Sequence, residues 1–289
     1  MNDAKRSPSP HAGPTLASIA ARECRAMERA LALRKGRHDG IHEARKSSRR
    51  LRSLLAFLPA AIDRRTTTLD KSLKQLAGGF SSLRDAHVAA RTARLLATTH
   101  HAALTSSLLD ALEDQSKATL KQALEKDPGW RRRRAKAHRI ATAMARLPWQ
   151  QVDAIEVRKA LKQSIRRTKK AKKKALEERS VPAYHRWRRR ARQLRYQLEF
   201  VRKVRRVMDI KKRRAERYDD RLKDLTLTID RLGWRQDFGV FLRAVEQLPA
   251  SPDVVALREG LRRKSSALSK VSPPMPKSRL DRAFVVHGS

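Results

Sequence analysis

The chain has 289 residues, of which 69 are Lys or Arg and 29 are Asp or Glu, giving a formal net charge of +40 at pH 7. That length admits one large helical domain or two modest ones, each able to bury a core, and a folded body of such charge calls for a polyanionic partner to relieve its self-repulsion. Hydrophobic residues still make up 40% of the chain and fall in periodic stretches, which excludes a basic disordered tail; the one cysteine, Cys24, excludes an intramolecular disulfide framework or a Cys-rich zinc site.

In chain order, MNDAKRSPSPHAGP is rich in Pro, Ser and small residues and reads as a loose leader over residues 1–14, without an apolar run of signal-peptide length. Helical spacing then predicts Thr15–Lys35, Asp39–Leu58, Ile62–Ala77, Leu83–Thr99, Ala102–Lys126, Trp130–Leu147, Val152–Arg179, Pro182–Val207, Lys211–Leu232, Arg235–Gln247 and Pro252–Ser269. Breakers mark the joints: Gly36 and Gly40, Pro59, Gly78 with Gly79, Asp127-Pro128-Gly129, Pro148, Pro182 at a helix start, Gly233 and Pro249. The end, VSPPMPKSRLDRAFVVHGS at 271–289, opens on a proline cluster and reads as a loose tail. No segment alternates as a strand does, and none approaches the roughly 20 apolar residues of a membrane span. These features lead us to expect a cytoplasmic protein that does not cross a membrane.

The sequence repeats itself. IHEARKSSRRLRSLLAFL at Ile41–Leu58 is echoed by YHRWRRRARQLRYQLEFV at Tyr184–Val201, 143 positions later. Ile41, Ala44, Ser48, Leu51, Leu55 and Leu58 form an apolar stripe, and Tyr184, Trp187, Ala191, Leu194, Leu198 and Val201 repeat its spacing. Displaced by about one residue, or roughly 100° around the helix, lie His42, Arg45, Arg49 and Arg52, matched by His185, Arg188, Arg192 and Arg195. A cation row beside a buried stripe is held at fixed height by packing, as a binding rail requires.

A second block, FSSLRDAHV at Phe80–Val88, matches LGWRQDFGV at Leu232–Val240, 152 positions later. The preceding helices give a fainter echo at an offset of 144: Arg22, Arg25 and Arg29 against Arg166, Lys169 and Lys173, with Lys170 in the same run. Basic residues are so frequent there that several registers score alike. Half-repeats of about 15–147 and 148–270 follow.

The blocks H-x2-R-K-x2-R-R-L-R at His42–Arg52 and H-x2-R-R-x2-R-Q-L-R-Y at His185–Tyr196, each followed by an R/Q-D segment, resemble the CHAD domain, the conserved histidine α-helical domain family. The resemblance covers residues 15–270. It implies an all-α fold of two helical bundles, about four or five helices each, related by a pseudo-two-fold axis around a central basic pore or cleft. It also implies binding of inorganic polyphosphate and association with polyphosphate granules. Carried over by position, the basic motif falls on His42, Arg45, Lys46, Arg49, Arg50 and Arg52, and on His185, Arg188, Arg189, Arg192 and Arg195; Arg22, Arg25, Arg29, Arg166, Lys169, Lys170 and Lys173 form a further set. Gln193 stands where the first half has Arg50, so the second rail is one charge weaker.

Polyphosphate offers only anionic oxygens, which Arg meets as a planar fork and Lys as a movable point charge. His42 and His185 suit either ligand contact or hydrogen-bonded packing. Neither has a His, Cys or carboxylate at i+3 or i+4, so no metal is expected, and no cofactor. Asp85 and Asp237 read as structural partners of Arg or helix ends. A nucleic-acid-binding basic protein is the alternative, although aromatic residues are only 4% and no recognition module is present. A polyphosphate-processing enzyme comes third, lacking a Gly-rich phosphate loop or clustered carboxylates for Mg²⁺.

Overall fold

The computed structural model describes residues 12–59, 62–99, 105–205, 208, 210–249, 254–255 and 258–259. Among them are nine α-helices: α1 Gly13–Ala32, α2 Arg37–Leu55, α3 Asp63–Gly78, α4 Ser81–Thr99, α5 Ser106–Lys126, α6 Arg131–Ala145, α7 Ala154–Glu178, α8 Val181–Val204 and α9 Lys212–Gln247. Short 3-10 turns at Pro128–Trp130 and Trp149–Gln151 flank α6. The expected leader over residues 1–11, most of the Pro252–Ser269 helix and the tail at 271–289 lie outside the described residues.

Local chemistry sets the joints. The Asp153 carboxylate accepts from the Glu156 amide at 2.8 Å to cap α7, and the Ser180 hydroxyl accepts from the Ala183 amide at 3.3 Å to cap α8, just ahead of Pro182. Gly36, at φ +63°, makes the left-handed turn into α2. Gly40 lies within α2 instead of forming part of that joint: a Cβ there would sit 2.4 Å from the Ala30 carbonyl oxygen, so the glycine lets α1 and α2 approach closely. The break expected at Gly233 is also absent. It is buried inside α9, where the roughly 1 kcal/mol helix penalty of one glycine is outweighed by burial of the flanking Trp234 and Phe238. Residues 13 and 14, assigned to the leader by composition, open α1 with Pro14 in its first turn.

The chain divides into two compact units, each with its own core. The first takes the described residues of Met1–Arg84 and Thr119–Ile229, the second those of Asp85–Ala118 and Asp230–Ser289. Each unit therefore draws on both sequence half-repeats. In the first, α1 packs on α2, α6 and α8, α2 on α3 and α8, α3 on α6, and α7 on α8. Its core includes Leu16, Met27, Leu31, Leu51, Leu54, Phe80, Trp130, Leu198 and Phe200. The second unit buries Ala89, Leu96, Leu112, Trp234, Phe238, Phe241 and Val245.

Both apolar stripes face the first unit's core. All six positions from Ile41 to Leu58 are buried, as are Ala191, Leu194, Leu198 and Val201, while Tyr184 and Trp187 are half-buried. Arg133, in the middle of a basic run, is held within the fold. It pairs with buried Asp127 at 2.8 Å, donates to the Gly79 carbonyl at 3.1 Å, and lies over the Phe80 and Trp130 rings.

Gly40→Ala is expected to lower stability by about 1–3 kcal/mol through overpacking. Gly78→Ala, where a Cβ meets nothing within 4 Å, is expected to be neutral or stabilising by up to about 1 kcal/mol. Thermal or urea unfolding of the two variants checks the pair; a stabilising Gly40→Ala would contradict the close approach of α1 and α2.

Candidate functional site

In the first unit, α2 and α8 pack against one another, and fully buried Gln197 ties them by donating to the Ser53 carbonyl at 3.4 Å. Buried residues beside the basic positions fix where those positions point. Arg45 donates to the carbonyl of Ala77 on α3, and Arg188 to the carbonyl of Ile229 on α9 at 3.4 Å. Arg188 lies 143 positions after Arg45, and Ile229 lies 152 after Ala77, the offsets of the two repeated sequence blocks.

Arg49 sits at the centre of this arrangement. Burial, followed by the charges of Arg192, Arg45 and Arg188, pushes its pKa down to about 9, with Tyr196 acting in the opposite sense. Among the described residues no carboxylate pairs with Arg49. Four arginines, two from each repeated helix, thus share one electrostatic environment.

Beside them opens a cleft of about 790 Å³ between α2, α3, α7 and α8. Among the described residues eight cations line it: Arg49, Arg52, Lys159, Lys162, Arg166, Arg167, Arg190 and Arg192. Its two carboxylates are already engaged, Asp70 with Arg52 at 2.6 and 3.2 Å and Glu156 with Lys159 at 3.7 Å. Burial, then the charges of Arg167, Arg189, Arg186 and Arg52, also lower the pKa of Arg190. The lining aromatic is Tyr196, which is buried, with Arg50 and Arg195 against its ring at 5.1 and 5.0 Å.

Of the residues singled out from sequence, Arg49, Arg52, Arg166 and Arg192 line this cleft, with Arg45 and Arg188 as charged neighbours of Arg49. Arg50 faces elsewhere. It pairs with Glu23 at 2.8 Å and Glu199 at 2.5 Å and stacks on Phe200 at 4.8 Å, so its guanidinium is committed within the fold. Burial works against its charge, but the two carboxylates outweigh burial and raise its pKa. The expectation that Gln193 weakens the second rail relative to Arg50 is therefore corrected: Arg50 supplies no open cation, and Gln193 lines the cleft.

The other candidates lie away from the cleft lining. His42 and Arg189 are exposed and His185 is half-buried. Lys46 pairs with Glu43 at 3.2 Å, and Arg195 with Glu199 at 3.4 Å. Arg22, Arg25 and Arg29 are exposed on α1; Lys169, Lys170 and Lys173 are exposed on α7, where Lys173 contacts Glu177 at 3.8 Å.

Sequence reasoning missed Lys159, Lys162, Arg167 and Arg190. Three follow from the phase of α7, whose buried stripe runs through Val157, Ala160, Leu161, Ser164 and Thr168 and puts these cations on its flanks. Arg190 has Ser47 as its repeat counterpart, so a search restricted to matched pairs passes over it. Among the described residues no group of three or more His, Cys, Asp or Glu could hold a metal. No described helix is long and apolar enough to cross a membrane.

A cation whose folded pKa lies below its ordinary value binds fewer protons in the native state, so its charge opposes folding. For Arg49 that cost is present in full below about pH 9 and is shed as pH rises above that value toward the ordinary arginine pKa. Replacing such a half-buried charge, which no described carboxylate pairs, with an apolar side chain of similar length removes that cost. Arg49→Met is accordingly expected to raise the urea midpoint of the ligand-free protein at pH 7; a lowered midpoint would show that the guanidinium supports the fold.

A family model described as the CHAD domain matches residues 18–246. The chain is also similar to the crystal structure of the CHAD domain from the plant Ricinus communis, with a TM-score of 0.56 and 20% identity over 92% of this chain and 94% of that one. No curated protein matches it.

Proposed function

The chain belongs to the CHAD domain family, and from that premise we propose that it binds inorganic polyphosphate, without catalysis, through the arginines around Arg49 and the cleft beside them. The observation that carries this reading is the gathering of Arg45, Arg49, Arg188 and Arg192 with no carboxylate paired to Arg49 among the described residues. Such a cluster costs the fold stability and repays it when an anion arrives. The matched contacts of Arg45 with Ala77 and Arg188 with Ile229 support the view of two repeats around a pseudo-two-fold axis, with the basic helices α2 and α8 at its centre. Polyphosphate-granule association accords with the same reading.

Polyphosphate is favoured over nucleic acid by what the cleft lacks. Single-stranded nucleic acids gain about 1–3 kcal/mol per base by stacking on open aromatic faces. Tyr196 is buried with arginines against its ring and offers no such face. A receptor built for anionic oxygens alone needs none.

Reversing Arg45, Arg49, Arg188 and Arg192 to Glu, alongside the milder Gln series, is expected to abolish or sharply weaken polyphosphate binding measured by titration. Unchanged affinity in folded variants would remove these residues from the site. If about 8 contacts release counterions, a fourfold rise in salt weakens binding on the order of 10³-fold. Long polyphosphate is further expected to displace single-stranded DNA of matched charge; the reverse order would favour the nucleic-acid reading.

A further inference from the structure

The Arg50 ion pairs have a counterpart in sequence register in which one carboxylate becomes a cation and the other two positions become neutral. Gln193 lies 143 positions after Arg50, Glu199 lies 143 after Ala56, and Arg167 lies 144 after Glu23, the offset at which the buried stripe Leu16, Ala20, Cys24 and Met27 of α1 recurs on α7 as Ala160, Ser164, Thr168 and Ala171. Thus the set Glu23, Arg50 and Glu199 becomes Arg167, Gln193 and Ala56 in the other register. The first set is closed: two carboxylates hold one guanidinium, which is pinned against Phe200. All three members of the second set line the cleft.

Each exchange opens the second set to an anion. Where Glu23 presents a carboxylate, Arg167 presents a cation. Where Glu199 fills space beside Arg50, Ala56 leaves it empty, and the neutral Gln193 demands no counter-ion. On the α1 side, a phosphate approaching Arg50 would have to displace two carboxylates already at 2.8 and 2.5 Å and overcome their repulsion. On the α7 side, Lys162, Arg166 and Arg167 are exposed, and no carboxylate pairs with them among the described residues.

Building on the polyphosphate reading, we propose that the duplicated site is one-sided: the polyanion is gripped on the flank formed by α7, while the equivalent flank at α1 is closed by the Glu23–Arg50–Glu199 ion pairs. The specificity-determining residues are then Lys162, Arg166 and Arg167, with Ala56 and Gln193 leaving room for the ligand. Arg22, Arg25 and Arg29 on α1 stay solvated. The polymer lies along α7 and does not thread from one flank to the other.

Two charge-matched variants test this by titration with long-chain polyphosphate at about 0.15 M salt, where screening limits long-range effects to about 8 Å. Lys162→Glu with Arg166→Glu and Arg167→Glu is expected to weaken binding by about tenfold or more, as the loss of several phosphate contacts would. Arg22→Glu with Arg25→Glu and Arg29→Glu is expected to change affinity by no more than about threefold, as screened distant charges would. All six side chains are exposed, and circular dichroism confirms folding. The single change Ala56→Glu, which restores a clamp carboxylate to the cleft and removes no native contact of a larger side chain, is expected to weaken binding several-fold. Equal losses in the two triple variants, or an unaffected Ala56→Glu, would overturn one-sidedness while leaving polyphosphate binding intact. Failure of the wild-type protein to bind polyphosphate would overturn the functional reading, and one-sidedness with it.

Discussion

Like charges brought together away from bulk water raise the free energy of a fold unless counter-charge is supplied. Here the packing of α2 on α8 holds Arg49 close enough to Arg45, Arg188 and Arg192 for all three to depress its pKa. The rest of the first unit supports that contact. Gly40 lets α1 lie against α2, Gln197 bridges α8 to α2, and the caps at Asp153 and Ser180 set where α7 and α8 begin.

Not every cation in such a basic chain plays the same part. Arg50 and Arg133 are consumed by buried or half-buried carboxylates and by aromatic rings, where they tie helices together. Among the described residues, the eight that line the cleft share two carboxylates between them. Local charge balance, not total charge, separates these groups: a paired guanidinium gains little from an incoming phosphate, whereas a crowded one gains counter-charge and loses repulsion.

The all-helical character, most joints and both buried stripes were legible in the sequence because they follow from periodicity and from Gly and Pro chemistry. Gly233 misled because a single helical glycine costs less than the burial around it returns. The basic positions on α2 and α8 were legible as a matched pair of rows, but their division into roles was not. Arg50 and Arg49 are adjacent in sequence, yet one meets Glu23 from α1 and Glu199 from α8, partners that no local pattern reveals. The contribution of α7 was blurred for a different reason, since Lys and Arg recur there too often for one register to stand out.

Arginine-selective modification by phenylglyoxal, mapped by peptide mass with and without saturating polyphosphate, tests the location of the site directly. Protection is expected at Arg49, Arg52, Arg166, Arg167, Arg190 and Arg192, with Arg131, Arg132 and Arg139 on the exposed face of α6 modified as before. Protection spread evenly over both groups, or confined to α6, would contradict a polyphosphate site built on the α2–α8 arginines.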